Sequence, residues 1–324
     1  MVKKIFPTVA SALLVAGTLS VGSSRLPVQA QAEQPAEYNC LTREVWTPEK
    51  RAWCEAQQNN EANLAAVIPA ELEINSDTAA FSDRTLTSGP IQITVSYTPA
   101  ERTEVGENLQ YQISYEGSAE TEAAVETYYF ANLALQDLDS DGIAEVVVQN
   151  YSGGAHCCTN TAIYSWQEGE FKSIETGYSD GTGGAFEDLN NDGLSEFVSY
   201  DNRFLYRFSS YAGSYPPPRI LTFQGGELTE TTAQFPDVIR ERITQIEEIF
   251  ADASFNREQN GVLAGYVAMK SLVGEGEEGW DYMLDRYDAE SDWGLAIRNE
   301  EGEEIGTYPN FPTALAAFLD EARY

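Results

Sequence analysis

Two short stretches of the sequence carry carboxylates at a spacing that suits a divalent cation. In each stretch, side chains with oxygen atoms occupy positions one, three and five, glycine occupies position six and glutamate occupies position nine. Short alternating side chains can converge on one ion, and the glycine allows the tight turn that this requires. We expect calcium as the cofactor, because it is the usual hard divalent ion outside the cell and takes oxygen ligands. The predicted ligands, with the backbone carbonyl oxygen at position seven, are Asp137, Asp139, Asp141, Ile143 and Glu145 in the first loop and Asp188, Asn190, Asp192, Leu194 and Glu196 in the second.

The two acidic loops differ from an EF-hand and from each other. Position twelve is Val148 or Ser199, whereas an EF-hand has a bidentate glutamate there. The first loop contains four carboxylates and the second contains three plus Asn190, so the first loop is expected to bind calcium more tightly. An alternative stays open, because Asp-Gly turns rich in Asp and Asn also occur in hairpins without an ion.

The acidic loops belong to a longer internal repeat. Residues 137–145 correspond to residues 188–196, and residues 163–171 correspond to residues 220–228. Each copy predicts a strand, an acidic loop, a second strand and then a hairpin. Over residues 127–235 this order resembles the FG-GAP (VCBS-type) calcium repeat. The resemblance implies β-hairpin loops that hold calcium and stiffen a binding scaffold. A closed propeller needs four or more blades, and the sequence contains two such copies.

The cysteines and the single histidine form a second group of reactive side chains. In an exported chain, four cysteines favour disulfides, and we prefer to pair Cys40 with Cys54. Cys157 and Cys158 then remain as neighbours, either in a strained vicinal disulfide or as reduced thiols. We interpret His156, which precedes them, as a structural hydrogen-bonded residue. A thiolate and imidazole site for a metal or for redox chemistry is the alternative.

No motif selects a catalytic centre. The sequence lacks an H-E-x-x-H helix and a P-loop. Hydrolysis by a pair of carboxylates stays an alternative, because 52 acidic residues offer many pairs and no local pattern singles out one of them. A protein without enzymatic activity is therefore the preferred interpretation.

The elements around these groups predict an α+β fold. Apolar residues alternate with polar ones at 91–97 and 109–115, which is typical of strands with one solvated face. After residue 236 apolar residues recur every three or four positions, as in amphipathic helices whose Met and aromatic stripes form a core. The predicted organisation is a signal peptide at 1–32, an N-terminal helical segment with a cysteine pair at 33–84, a β-rich region with the two repeats at 85–235, and an α+β C-terminal unit at 236–324.

The N-terminus and the charge indicate the compartment and exclude one class of partner. Lys3 and Lys4 precede a short apolar run that closes with small residues at 30–32, which is typical of a secretory signal peptide. The net charge of −33 excludes a nucleic-acid surface, since phosphate binding needs clustered Lys and Arg. No later segment is long and apolar enough to cross a membrane, so we expect a secreted or periplasmic protein that is not an integral membrane protein after cleavage.

Two functions from different classes remain open. The first is a secreted calcium-binding module that contacts an unknown protein or glycan of the envelope through aromatic loops such as residues 211–215. The second is an exported hydrolase that uses carboxylates for catalysis and calcium as a structural support. For residues 211–218, an ordinary surface insertion is the plainer interpretation.

Overall fold

The computed structural model describes residues 70–99, 106–154, 157–251 and 258–324. The predicted signal peptide, Cys40, Cys54 and His156 lie outside these residues. The structure is rich in strands and has four helices near the C-terminal end of the described part, so the predicted α+β class is confirmed.

Most strands belong to three antiparallel sheets. Sheet I runs in chain order through β2 (Phe81–Ser88), β3 (Ile91–Tyr97), β4 (Leu109–Tyr115) and β5 (Ala119–Val125). Sheet II contains β1 (Ala70–Asn75), β6 (Phe130–Gln136), β7 (Glu145–Tyr151), β8 (Cys157–Gln167), β9 (Glu170–Glu175) and β10 (Ser179–Asp180). Sheet III contains β11 (Ala185–Glu187), β12 (Glu196–Tyr200), β13 (Pro218–Gln224) and β14 (Glu227–Glu230).

Sheet II lies between the other two sheets, and β7 is its most buried strand. Val146 and Val148 pack with the apolar face of sheet I. Val147 points to the opposite face and packs with Phe223 of sheet III. A strand that is covered on both faces needs apolar side chains at successive positions, which explains the uninterrupted valine run in this strand.

The alternating patterns at 91–97 and 109–115 form β3 and β4 as predicted. The predicted N-terminal helical segment, 33–84, is described from residue 70 onwards, and this described part contains strands instead of a helix. Residues 70–75 form β1, which pairs with β6, and residues 81–84 begin β2. Leu72 and Ile74 alternate with glutamates, so this short segment has the period of a strand.

The C-terminal unit contains four helices and a hairpin. The helices are α1 (Pro236–Ala251), α2 (Gln259–Leu272), α3 (Gly276–Leu284) and α4 (Phe311–Ala322). The hairpin pairs β15 (Ala296–Arg298) with β16 (Glu304–Thr307). The apolar stripes of the helices form two clusters of buried side chains, one around Phe318 and one around Tyr266. The prediction that these stripes form a core is therefore confirmed.

The connection from β12 to β13 is packed, so its interpretation as an ordinary surface insertion is wrong. Its three consecutive prolines, 216–218, are buried. Gly261 and Gly265 of α2 let the helix approach this connection closely, because a Cβ atom at Gly265 would overlap the carbonyl oxygen of Tyr215. The connection thus joins sheet III to the helical unit.

Candidate metal centre

The first acidic loop joins β6 to β7 and is organised by the side chain at position one. The carboxylate of Asp137 accepts hydrogen bonds from the backbone N–H groups of Asp141, at 3.2 Å, and Gly142, at 3.0 Å. Asp141 Oδ1 accepts the N–H of Ile143 at 2.7 Å. Gly142 has φ +88°, a left-handed conformation that favours glycine, so its place at position six has a backbone cause.

Glu145, at position nine, is the most buried acid of this loop. Only 1% of its surface is exposed. Its carboxylate accepts the backbone N–H of Leu138 at 2.9 Å and the hydroxyl of Ser165 at 3.2 Å. Burial raises the pKa of Glu145 from 4.5 to about 8, and the charges of Asp139 and Asp141 act in the same direction, while the two hydrogen bonds oppose the shift. Without a cation, the folded protein therefore favours the neutral acid at this position.

Three carboxylates of the first loop converge. Oxygen atoms of Asp137, Asp139 and Glu145 all lie within 4.8 Å of one another. Asp139 Oδ2 accepts the N–H of Gly225, in the turn between β13 and β14, at 2.8 Å. Its other oxygen, Oδ1, is buried and has no hydrogen-bond partner among the described residues. A concentration of hard oxygen donors with one buried acceptor left over fits a hard divalent cation such as calcium.

Of the other two predicted ligands of this loop, Asp141 is not part of the convergent group. Burial, its largest influence, raises the pKa of the Asp141 carboxyl. The carbonyl oxygen of Ile143 stays a predicted ligand.

The second acidic loop, between β11 and β12, repeats the same turn. Asp188 accepts the N–H groups of Asp192, at 3.1 Å, and Gly193, at 3.0 Å, and Asp192 Oδ1 accepts the N–H of Leu194 at 2.9 Å. Glu196 is also 1% exposed and accepts the N–H of Leu189 at 3.0 Å. Both loops therefore form the same framework of hydrogen bonds.

Position three distinguishes the two loops. Asn190 Nδ2 donates to Asp192 Oδ2 at 2.8 Å, and Asn190 Oδ1 accepts the N–H of Asp192 at 3.0 Å. Within the described part of the chain, the acids of this loop form no group of three. Its position-three and position-five side chains thus satisfy each other, and an ion would have to displace the bond between them.

The two loops are neighbours and contact each other directly. Ser140 Oγ donates to the carbonyl oxygen of Gly193 at 2.6 Å, and the N–H of Ser195 donates to the carbonyl oxygen of Leu138 at 2.7 Å. Together with the bond from Gly225 to Asp139, these contacts tie the first loop to sheet III. Spacing within one loop does not predict contacts between loops.

Sequence reasoning also missed the hydroxyl groups that hold the position-nine glutamates. Ser165 donates to Glu145, and Thr222 donates to Glu196 at 3.1 Å. Ser165 and Thr222 occupy the same position of the repeat, two residues after the start of the aligned blocks 163–171 and 220–228. Aligning the two copies could therefore have identified these hydroxyl groups.

The remaining predicted site residues are described only in part. Cys158 is disulfide-bonded, and its partner lies outside the described side chains. The pairings of Cys40 with Cys54 and of Cys157 with Cys158 therefore stay predictions. Within the described residues, none of the helices has the length and apolar character that a membrane crossing requires.

Comparison with known proteins gives relatives along part of the chain. Residues 239–323 match a family model described as the sll0997 C-terminal domain. The chain is 43% identical over 208 residues to a "Probable thylakoid lumen protein sll0997" of Synechocystis sp., which covers 60% of each protein. It is 31% identical over 188 residues to an "Uncharacterized protein y4bJ" of Sinorhizobium fredii, covering 56% of this chain and 30% of that protein. The chain thus spans less than two thirds of either relative. No solved structure matches.

Proposed function

We propose that this chain is an exported calcium-binding protein whose first acidic loop holds one ion and whose role is to bind a partner. The observation that carries the proposal is the convergence of Asp137, Asp139 and Glu145 within 4.8 Å. Like charges this close destabilise the fold unless a proton or a cation compensates them. A divalent ion would balance the charge and use the buried Asp139 Oδ1 as a ligand.

Calcium in this loop would act as a structural support. Asp137, Asp139 and Glu145 would hold it, with Asp141 and the carbonyl oxygen of Ile143 completing the oxygen set. Since Asp139 also accepts the N–H of Gly225, the ion would stiffen the contact between sheets II and III. This role agrees with what an FG-GAP (VCBS-type) repeat would provide, and we extend that resemblance to the second loop as a weaker calcium site.

Export is the second part of the proposal. It is supported by the signal-peptide pattern of residues 1–32 and by the relative whose printed name is a probable thylakoid lumen protein. We accordingly expect oxidised cysteines, with Cys40 joined to Cys54 and Cys157 joined to Cys158. Mass spectrometry after alkylation without a reductant tests both pairings, and alkylated cysteines in the native protein would contradict them.

Isothermal titration with calcium tests the ion site in the full chain without its signal peptide. We expect one tighter site and one weaker site, with the tighter one lost in Asp139→Asn. The exposed Asp77 lies in the turn between β1 and β2, outside both acidic loops, so the control variant Asp77→Asn should bind as the wild type does. No heat of binding at millimolar calcium, or equal affinity in Asp139→Asn, would reject the proposal.

A further inference from the structure

The end of sheet II that is opposite the acidic loops is rich in tyrosine. The first acidic loop leads into β7 at Glu145, and Tyr151 is the last residue of the same strand, at its opposite end. There Tyr151 pairs with Thr159 of β8, which pairs with Ser179 of β10. Neighbouring strands are about 4.8 Å apart, so Tyr151 lies about 10 Å from Ser179 and from the adjacent Tyr178.

The packed connection between β12 and β13 brings further tyrosines to this end. Asn202 Nδ2 donates to the carbonyl oxygen of Tyr178 at 3.0 Å. Tyr211 donates its hydroxyl to Asp180 Oδ2 at 2.5 Å, and its ring centroid is 5.7 Å from that of Tyr206. Tyr178, Tyr206 and Tyr211, together with Asp180 and Asn202, therefore form one surface, which we call the tyrosine patch.

The tyrosine patch combines exposed rings with acceptor oxygens that lack donors. Tyr178 is 66% exposed and Tyr206 is 51% exposed, both high values for aromatic side chains. Asp180 Oδ1 and Asn202 Oδ1 are buried and have no hydrogen-bond partner among the described residues. Buried acceptors without donors are rare in folded proteins, so these oxygens point to O–H groups supplied by water or by a ligand.

We propose that the tyrosine patch binds a neutral glycan, which would make the partner of the proposed binding module a polysaccharide; this inference rests on that proposed function. Tyrosine rings offer flat apolar faces to the C–H groups of a sugar ring and a polar tip to its hydroxyls. The carboxylate of Asp180 and the carboxamide of Asn202 would accept hydrogen bonds from sugar hydroxyls once the side chains that bury their free oxygens move aside. Turning the Tyr211 side chain would break its bond to Asp180 and expose that carboxylate to a ligand.

The charges near the patch favour a neutral ligand. The nearest arginines in sequence are engaged elsewhere, since Arg203 bonds to Asp201 and Arg207 lies over the ring of Phe208. With a net charge of −33, the chain repels anionic polysaccharides.

A glycan suits the patch better than a protein partner does. The exposed large aliphatic side chains of the described residues are Leu284 and Ile305, which lie in the C-terminal unit. A protein interface of the usual kind would combine tyrosines with apolar residues at its centre. The patch instead combines tyrosine with oxygen acceptors.

Binding to an array of neutral oligosaccharides, comprising chito-, cello-, malto- and xylo-hexaoses, tests the inference, followed by titration of the best binder. We expect binding by the wild type and a rise of Kd of about tenfold or more in Tyr178→Ala/Tyr206→Ala, since each stacked ring contributes on the order of a tenfold factor. Tyr178→Phe/Tyr206→Phe keeps the rings and should retain most of the affinity. Ile305→Ala, at an equally exposed position of 66%, should bind as the wild type does.

The outcomes separate this inference from the ion site. Circular dichroism and calcium titration of the alanine double variant should match the wild type, so that a loss of glycan binding does not reflect unfolding. If the wild type binds calcium but no neutral glycan, the glycan assignment is overturned while the ion proposal stands. If the wild type binds a neutral glycan but no calcium, the glycan assignment stands and the ion proposal is overturned. Stronger binding to anionic polygalacturonate than to the neutral hexaoses would also overturn the assignment. So would a patch that binds a protein but no glycan.

Discussion

Replacing Asp139 with asparagine should change stability in opposite directions with and without calcium. The asparagine carbonyl can still accept the N–H of Gly225, while an amide group replaces the unpartnered oxygen. Carboxylate oxygens of Asp137 and Asp139 lie within 4.8 Å. Two like charges at that distance repel by about 3 kcal/mol at an effective dielectric constant of about 20. Because both side chains are partly exposed, we expect Asp139→Asn to stabilise the calcium-free protein by about 1–2 kcal/mol.

Calcium should reverse the order of the two proteins. An ion present at about 100 times its Kd stabilises the folded state by about 2.7 kcal/mol. For a unit of this size, each kcal/mol raises Tm by about 2–4 °C, so calcium should raise the Tm of the wild type by about 5–10 °C. Asp139→Asn should gain much less, since it lacks one of the three convergent carboxylates.

Differential scanning calorimetry in EDTA and in about 10 mM calcium, at equal ionic strength, measures both effects for a site with Kd near 0.1 mM. The matched variant is Asn190→Asp at the same position of the second loop. It breaks the bond from Asn190 to Asp192 and adds a carboxylate, so it should lower Tm in EDTA and increase the gain with calcium. If Asp139→Asn changes Tm by the same amount in both buffers, calcium binding does not depend on the Asp139 carboxylate and the reasoning fails.

Two further predictions concern pH and close packing. In calcium-free buffer, Glu145 of the folded protein keeps its proton up to about pH 8, whereas in the unfolded chain it loses the proton above pH 4.5. The stability of the fold should therefore fall as the pH rises from about 4.5 towards about 8. Glu145→Gln should remove this contribution, which is at most about 1.4 kcal/mol per pH unit. Urea unfolding at several pH values measures the free energy of unfolding of both proteins. Equal slopes of that free energy against pH in the wild type and the variant would contradict the prediction. Gly265→Ala should destabilise the fold by about 2–3 kcal/mol, because the added methyl group overlaps the carbonyl oxygen of Tyr215. Gly106→Ala, which has open space around it, is the control, and an equal effect of both changes on urea unfolding would refute the packing argument.

Several parts of the fold could be predicted because their signal is local. Alternation identified β3 and β4, and spacing of three to four residues identified the C-terminal helices. The same approach failed at β1, where Ala70, Leu72 and Ile74 provide only three apolar positions within six residues. A pattern this short does not distinguish a strand from a helix, and pairing with β6 decides the outcome.

The acidic loops show the same division within one motif. Their spacing predicted the turn, since each position-one aspartate binds backbone N–H groups four and five residues later. Spacing did not predict which carboxylates converge. That difference depends on Gly225, which lies 86 residues beyond Asp139, and on the side chain of Asn190.

By itself, the sequence determined the α+β class, the two acidic turns and the acidic character of the chain, because these depend on neighbouring residues and on composition. Only the tertiary structure decided that β7 is covered on both faces, that the β12–β13 connection is packed and that three tyrosines share one surface with Asp180 and Asn202. These features join residues that are distant in the chain. Their energies come from close packing and from hydrogen bonds between separate elements, which spacing along the sequence does not record.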